Sequence, residues 1–192
     1  MVNVAVFVSG GGTNCENIIR YFAGSDKVNI ALVVSSSSKA YAIERAKGLG
    51  VPVEVVTRSG FADQEAVDAL LRKYSIDFIV LAGFLVVVPG YLVKEYEGRM
   101  INIHPALLPK FGGPGMYGHH VHEAVKRAGE TETGMTVHWV SDKVDGGEII
   151  ARFRAPIEPA DSPDDIAAKE HVLEMAHFPR VIEQVLVSVY GE

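Results

Sequence analysis

The 192-residue chain, 48% apolar and 22% charged, is long enough to bury a substantial core and has the composition of one globular domain. Its formal charge of −6 argues against a nucleic-acid-binding surface, which concentrates Lys and Arg, and no apolar run approaches the ~20 residues of a membrane helix. A single cysteine, Cys15, excludes an intramolecular disulfide and suits a reducing compartment. The N-terminus runs straight into an apolar strand with no charged leader, so the expectation is a soluble cytoplasmic protein with neither nucleic-acid nor membrane partner.

In chain order, Val2–Val8 reads as an apolar strand ending in Ser9-Gly10-Gly11-Gly12-Thr13-Asn14. Ile18, Ile19 and Phe22 then fall at helical spacing. Ile30–Val34 is a second strand, Tyr41–Lys47 a helix closed by Gly48, and Val51–Val56 a third strand. Ala66, Leu70, Leu71 and Tyr74 mark a helix face that starts near a capping Asp63, and Phe78–Leu81 is a fourth strand. A short helix covers Tyr91–Tyr96, and Met100–Ile103 is a fifth strand. A Pro/Gly-rich loop, Pro105–Gly118, leads into a helix from about His120 to Arg127. Thr136–Val140 and Glu148–Ala155 flank the Asp145-Gly146-Gly147 turn as two strands, an antiparallel pair that extends the sheet. The last helix runs from about Pro163 to Val189, capped by Asp161 or Ser162, with Pro179 expected to kink or divide it. Strands this apolar are buried on both faces. The fold class expected is α/β: a single domain over 1–192, a doubly wound, mostly parallel sheet with helices on both faces and ligands at the carboxyl ends of the strands.

Three segments bear on chemistry. Glycines after the first strand let backbone N–H groups converge at the positive end of the following helix, a place suited to a phosphate, although a plain strand-to-helix turn uses the same residues. The segment is neither a Walker loop nor a G-x-G-x-x-G fingerprint. Asn102 and His104 alternate along a strand and so share a side, while Pro105 holds His104 extended and stops the strand. An amide donor beside a titratable imidazole is suited to stabilising an oxyanion and passing a proton in acyl transfer, or is a pair of satisfied polar groups at a strand end. Asp145 lies in a turn sequence whose ordinary meaning is a hairpin. Folded over the strand ends, its carboxylate would neighbour His104 and raise the imidazole's pKa.

The remaining candidates read more simply. His119, His120 and His122 lack a spaced second pair of ligands and read as solvated or rim residues, so no metal is expected. His138 reads as a packed, hydrogen-bonded strand residue and Cys15 as structural. The apolar run Leu81–Pro89 is either core leading into a short helix or a slot whose backbone groups read a flat heterocycle.

Taken together, the Ser9–Asn14 turn, Leu81–Phe84, Asn102-Ile103-His104-Pro105 followed by Leu107-Leu108-Pro109-Lys110, and Asp142–Gly147 resemble the folate-dependent phosphoribosylglycinamide formyltransferases over essentially the whole chain. The resemblance implies 10-formyltetrahydrofolate as donor, glycinamide ribonucleotide as acceptor and a place in purine synthesis, with no metal and with a homodimer left open. It implies Asn102, His104 and Asp145 as the catalytic trio, the histidine charged and the aspartate moving a proton through a water. Gly11, Gly12, Thr13 and Asn14 match the turn that holds the acceptor's phosphate, with Lys110 as a further anion contact, and Glu174 matches an acidic contact to its sugar or glycyl part. Leu85, Val86, Val87 and Val88 match the pterin pocket, and Ser141, Asp142, Val144 and Asp145 the loop over it, with Asn102 also facing the folate.

Two positions depart from that pattern: Val86 and Gln64 each stand where an Arg is frequent. They leave the reaction class alone and bear on ligand affinity. The loop Phe111–Gly118 is also longer and richer in glycine than in some relatives. The tRNA-modifying formyltransferases carry a basic C-terminal domain, and the formyltetrahydrofolate hydrolases a regulatory N-terminal one. This acidic chain is expected to have neither.

Overall fold

The computed structural model describes residues 1–191. Its elements, in order, are β1 (Val2–Val8), α1 (Thr13–Phe22), β2 (Val28–Ser35), α2 (Ala42–Gly48), β3 (Val53–Val55), a 3₁₀ turn (Gly60–Ala62), α3 (Gln64–Lys73), β4 (Phe78–Leu81), α4 (Gly90–Glu95), β5 (Met100–His104), α5 (His119–Arg127), β6 (Glu132–Trp139), β7 (Ile149–Pro156) and α6 (Pro163–Tyr190). The strands form one seven-stranded sheet in the order β3-β2-β1-β4-β5-β6-β7. β1 pairs in parallel with β2 and β4, β2 with β3, and β6 with β7 antiparallel, which gives the expected mostly parallel α/β sheet. By compactness the chain divides into two units, residues 1–101 with 184–191 and residues 102–183, with one boundary inside β5 and the other inside α6. No helix among the described residues is long and apolar enough to cross a membrane.

In the first unit the core is the apolar strand set itself. Val4–Val8, Leu32–Val34 and Phe78–Val80 are almost wholly buried, as strands covered on both faces must be. Phe84 sits edge-on to Phe7 and Phe61 at 5.3 and 5.4 Å, extending that core past β4. Gly12 caps α1 in the left-handed conformation, φ 77°, and a β-carbon there would lie 2.4 Å from the β-carbon of Ala42 on α2. Only glycine accepts both conditions. The Asp63 side chain caps α3 by accepting from the Ala66 N–H at 3.1 Å, as its place before an apolar-periodic run predicts.

In the second unit Ala106, Val121, Val125 and Ile166 form an apolar cluster under Phe111, Met116 and Ile157. Ser162, rather than Asp161, caps α6: its Oγ accepts from the Asp165 N–H (3.1 Å) while the Asp165 carboxylate accepts from the Ser162 N–H (2.8 Å), a reciprocal capping box.

Three expectations need correction. Pro179 does not divide α6, which runs unbroken over 28 residues. Proline costs one hydrogen-bond donor there, and the burial of Phe178, Val181 and Ile182 on either side holds the helix together. β3 keeps only three of the six residues expected of it. β6 starts at Glu132, four residues before the expected Thr136, because Gly134 is part of the strand rather than a break before it. A β-carbon at Gly134 would stand 2.0 Å from the Phe153 carbonyl oxygen of β7, so the close pairing requires glycine.

Replacing Gly12 by alanine combines a left-handed backbone strain with a clash against α2, and is expected to cost roughly 2–4 kcal/mol of stability. Urea denaturation of the variant beside the parent chain measures it, and a loss below about 0.5 kcal/mol would contradict the packing described.

Candidate active site

The chemistry-bearing side chains of the second unit form one connected network. Asn102 and His104 lie two apart on β5, and the strand's alternation sends both to one side while Ile103 packs, only 6% exposed. Ala106 and Leu108, just beyond the strand, are tied to β6 through one hydroxyl: Thr136 Oγ1 donates to the Ala106 carbonyl (2.7 Å) and accepts from the Leu108 N–H (3.0 Å). Arg152 of β7 donates to the Leu108 carbonyl at 3.0 Å. These bonds fix where the long loop leaves the sheet.

β6 and β7 are joined by residues 140–148, a longer link than a two-residue hairpin. Their register slips between Val137 and His138, where His138 pairs with Ile149 after Val137 pairs with Ala151. Such a bulge re-aims the side chain beside it. Glycine permits the tight return: at Gly147 a β-carbon would lie 1.7 Å from the Trp139 carbonyl oxygen. Asp145, itself left-handed at φ 53°, is carried inward by this bend and is only 10% exposed at its side chain.

Asp145 Oδ1 lies 3.5 Å from His104 Nδ1 and 3.7 Å from His138 Nε2, and Oδ2 accepts the Gly113 N–H at 2.9 Å. The expected approach of the glycine bend to His104 is therefore present. His138 closes the circuit: its Nδ1–H donates to the Trp139 carbonyl (2.9 Å), which leaves Nε2 to accept from Asn102 Nδ2 (3.0 Å). His138 is indeed packed and hydrogen-bonded, but it holds the amide of Asn102 and flanks Asp145, a role its strand pattern did not reveal. A carbonyl acceptor likewise fixes the tautomer of His104, whose Nε2–H donates to the Phe111 carbonyl at 2.7 Å.

Burial alone would raise the Asp145 carboxyl. The His138 ring, the charge of His104 and the Gly113 N–H outweigh it and hold Asp145 below the usual carboxylate range, as an anion. For His104 the balance falls the other way, against expectation. Asp145 and the Phe111 carbonyl favour the imidazolium, but the ring is 3% exposed, and this burial, joined by repulsion from His138, lowers its pKa below 6.5. Burial thus sets the neutral ring against the imidazolium that Asp145 favours. His122 on α5 is also lowered, by burial and by His119 and His104.

The other predicted residues stand as follows. Ser141 Oγ accepts the Lys143 N–H (3.3 Å), an ST-turn that shapes the segment containing Asp142 and Val144, both exposed. Lys110 Nζ is engaged by Glu130 at 2.9 Å on the surface. Glu174, on α6, is buried. His119 pairs with Glu123 and Asp164, and His120 lies near Glu123. Among the described residues no group of three or more His, Cys, Asp or Glu is arranged to hold a metal ion.

Within the first unit, the Gly10 carbonyl accepts the Ala42 N–H (3.1 Å) and the Gly11 carbonyl accepts Arg45 Nε (2.8 Å), so the glycine turn is braced through its carbonyls. Arg45 also pairs with Glu16 of α1. The first helical bond is Glu16 N–H to Gly12 C=O, and the N–H groups of Thr13, Asn14 and Cys15 precede any intrahelical acceptor, the geometry of an anion site. Cys15 is fully buried and burial, with Glu16, pushes its thiol up to about 12, so it is no nucleophile. Past β4, the Leu85 N–H donates to Ser9 Oγ (2.8 Å), while Leu85 and Val87 are 52% and 70% exposed. Val86 and Val87 line a cavity of ≈ 400 Å³ with Arg58, Phe61, Ala62, Pro89 and Tyr91. The apolar slot is the better description of this run than sealed core. Gln64, standing where a cation is frequent, is turned to Asp68 (3.3 Å).

A mostly parallel α/β sheet that ends one strand in an amide and an imidazole and brings a buried carboxylate to that imidazole has the groups that acyl transfer requires. The formyl transferase family pattern matches residues 2–182, and the chain belongs to that family. It is 37% identical to the phosphoribosylglycinamide formyltransferase of Escherichia coli K12, over 94% of this chain and 85% of that one. It is 39% identical to the chloroplastic phosphoribosylglycinamide formyltransferase of Arabidopsis thaliana over 86% of this chain, and spans 59% of that longer protein. The crystal structure of phosphoribosylglycinamide formyltransferase from Bacillus halodurans superposes with a TM-score of 0.87 at 35% identity, covering 97% of this chain and 96% of that one. Within its family the chain therefore falls among the phosphoribosylglycinamide formyltransferases, ahead of the tRNA-modifying and hydrolytic branches.

A histidine pKa lowered by folding gives stability that is present above the ordinary value of 6.5 and lost as pH falls through the folded-state value. The parent chain is accordingly expected to lose stability below pH 6.5, and His104→Asn to lose less over the same range, His122 supplying the remainder. Denaturant midpoints at pH 8, 7, 6 and 5 test this, and identical pH slopes in both proteins would contradict it.

Proposed function

We propose that the chain transfers a formyl group from 10-formyltetrahydrofolate to the amine of glycinamide ribonucleotide, a step of purine synthesis, in the cytoplasm and as a single formyl transferase domain. The observation that carries the chemistry is the connected set Asn102–His138–Asp145–His104 at the carboxyl end of β5.

The acceptor's free amine attacks the formyl carbon, and the carbonyl oxygen becomes an oxyanion. Asn102 Nδ2 carries a second hydrogen besides the one given to His138, and this donor takes the oxyanion. His104 supplies the other donor from Nε2, the oxyanion replacing the Phe111 carbonyl that accepts it in the structure. Negative charge developing on that oxygen strengthens both hydrogen bonds at the moment the charge forms, with the field of Asp145 behind the His104 ring. A proton then leaves the attacking nitrogen and, through a water held by Asp145, reaches the folate nitrogen. The carbon–nitrogen bond to folate breaks, and tetrahydrofolate and the formylated amide result.

The N–H groups at Gly11, Gly12, Thr13 and Asn14 suit the acceptor's phosphate. Glu174 is assigned to the acceptor's sugar or glycyl part. Leu85 to Val88, with Ser141, Asp142 and Val144, are assigned to the folate's flat ring, which the exposed apolar side chains of Leu85 and Val87 suit.

His104→Ala is expected to lower turnover by about 10²–10⁴-fold while circular dichroism remains that of the parent chain. Asp145→Asn is expected to fall in the same range, since it removes the anion while leaving the bend. Incubation with 10-formyltetrahydrofolate and glycinamide ribonucleotide, with methionyl-tRNA and water as competing acceptors, measures both the rate and the acceptor. Near-parental turnover by His104→Ala would refute the mechanism, and preferential transfer to a competitor would refute the acceptor.

A further inference from the structure

α6 carries two carboxyl groups, Glu170 and Glu174, one helical turn apart and therefore on one face. Both are buried, at 3% and 8% exposure. At that spacing the two carboxyl groups face one another and interact. An ionised carboxylate only accepts, so a hydrogen bond joining them requires a proton between them. One Glu170 oxygen, Oε1, is buried and has no hydrogen-bond partner, so no donor compensates charge on that oxygen. Glu174 has a second neighbour: His171 Nδ1, on a half-exposed ring, lies 3.4 Å from Glu174 Oε2. The adjacent Lys169 is paired with Asp161 and with the Pro156 carbonyl. Burial, and after it the neighbouring Glu174 carboxyl, pushes the Glu170 carboxyl well above the usual range, so the deeper group holds the proton.

We propose that Glu170 is a positioning residue for the acceptor: as a neutral acid it donates to Glu174, fixes that carboxylate's rotamer and leaves it a single negative charge for the acceptor's hydroxyl or amine hydrogens. The proposal rests on the assignment of Glu174 to the acceptor. A buried glutamate in this state is equivalent to glutamine, which keeps a donor at the same place. Leucine removes the donor while filling the space. At alkaline pH the shared proton is lost, two buried anions repel, and the grip on the acceptor weakens.

The test is steady-state kinetics of the full chain between pH 6.5 and 9.5, with the Michaelis constants for acceptor and folate donor measured separately, for the parent, Glu170→Gln, Glu170→Leu and Glu174→Gln. Glu170→Gln is expected to keep the acceptor constant within about twofold and to lose the alkaline rise that the parent shows. Glu170→Leu is expected to raise the acceptor constant about tenfold, with turnover and the donor constant little changed. Carboxyl infrared difference spectra of the ligand-free protein at pH 7 should show a protonated carboxyl that Glu170→Gln removes. An unchanged acceptor constant in Glu170→Leu, or an alkaline rise that survives in Glu170→Gln, would overturn the positioning role. Absence of the protonated carboxyl band would overturn proton sharing. An acceptor constant unmoved in Glu174→Gln, with the band present, would instead sink the assignment of Glu174 on which the proposal rests.

Discussion

A carboxylate removed from water must be answered by donors and positive charge, and the second unit is arranged around that demand at Asp145. The Gly113 N–H donates to it, and the His104 and His138 rings lie 3.5 and 3.7 Å away; the three come from the long loop, the end of β5 and the position of β6 opposite the β7 bulge. Each partner is in turn held by something else. His138 is oriented by the Trp139 carbonyl and His104 by that of Phe111. The same contacts that make a buried anion tolerable fix the tautomers of both imidazoles and the amide of Asn102. Stability and chemistry here have one source.

That arrangement needs backbone close approaches that only glycine allows. Gly147 stands against the Trp139 carbonyl, Gly134 against that of Phe153, and Gly112 against Leu108 and the β-carbon of Asp145. Asp145 is a non-glycine residue in the left-handed region, a strained conformation retained where its side chain is most constrained. The protonation of His104 follows from the same crowding. Its Asp145 and Phe111 neighbours favour the charged ring, and its burial disfavours it more.

On the first unit, the departures at Val86 and Gln64 have structural counterparts. Val86 helps line the ≈ 400 Å³ cavity, where Arg58 is the cation in the lining, and Gln64 is engaged by Asp68. The glycine turn is braced by Arg45 and Ala42 through its carbonyls, which directs the peptide N–H groups the other way.

The sequence by itself determined the sheet and its chemistry-bearing strand end. Doubly buried strands are legible because every residue in them is apolar, and Asn102 and His104 are legible because two-residue alternation puts them on one side before a proline. The Asp63 cap and the glycine turn are local and equally readable. Tertiary structure decided the rest. Whether Asp145 reaches His104 depends on a nine-residue link folding inward, whether Gly134 breaks or belongs to a strand depends on a carbonyl from β7, and Pro179 is tolerated because of what covers its neighbours. The part played by His138 depends on a register slip that no pattern in β6 announces. The charge state of His104 is a difference between two opposing terms, burial and a nearby anion, and only three-dimensional distance and depth set their sizes.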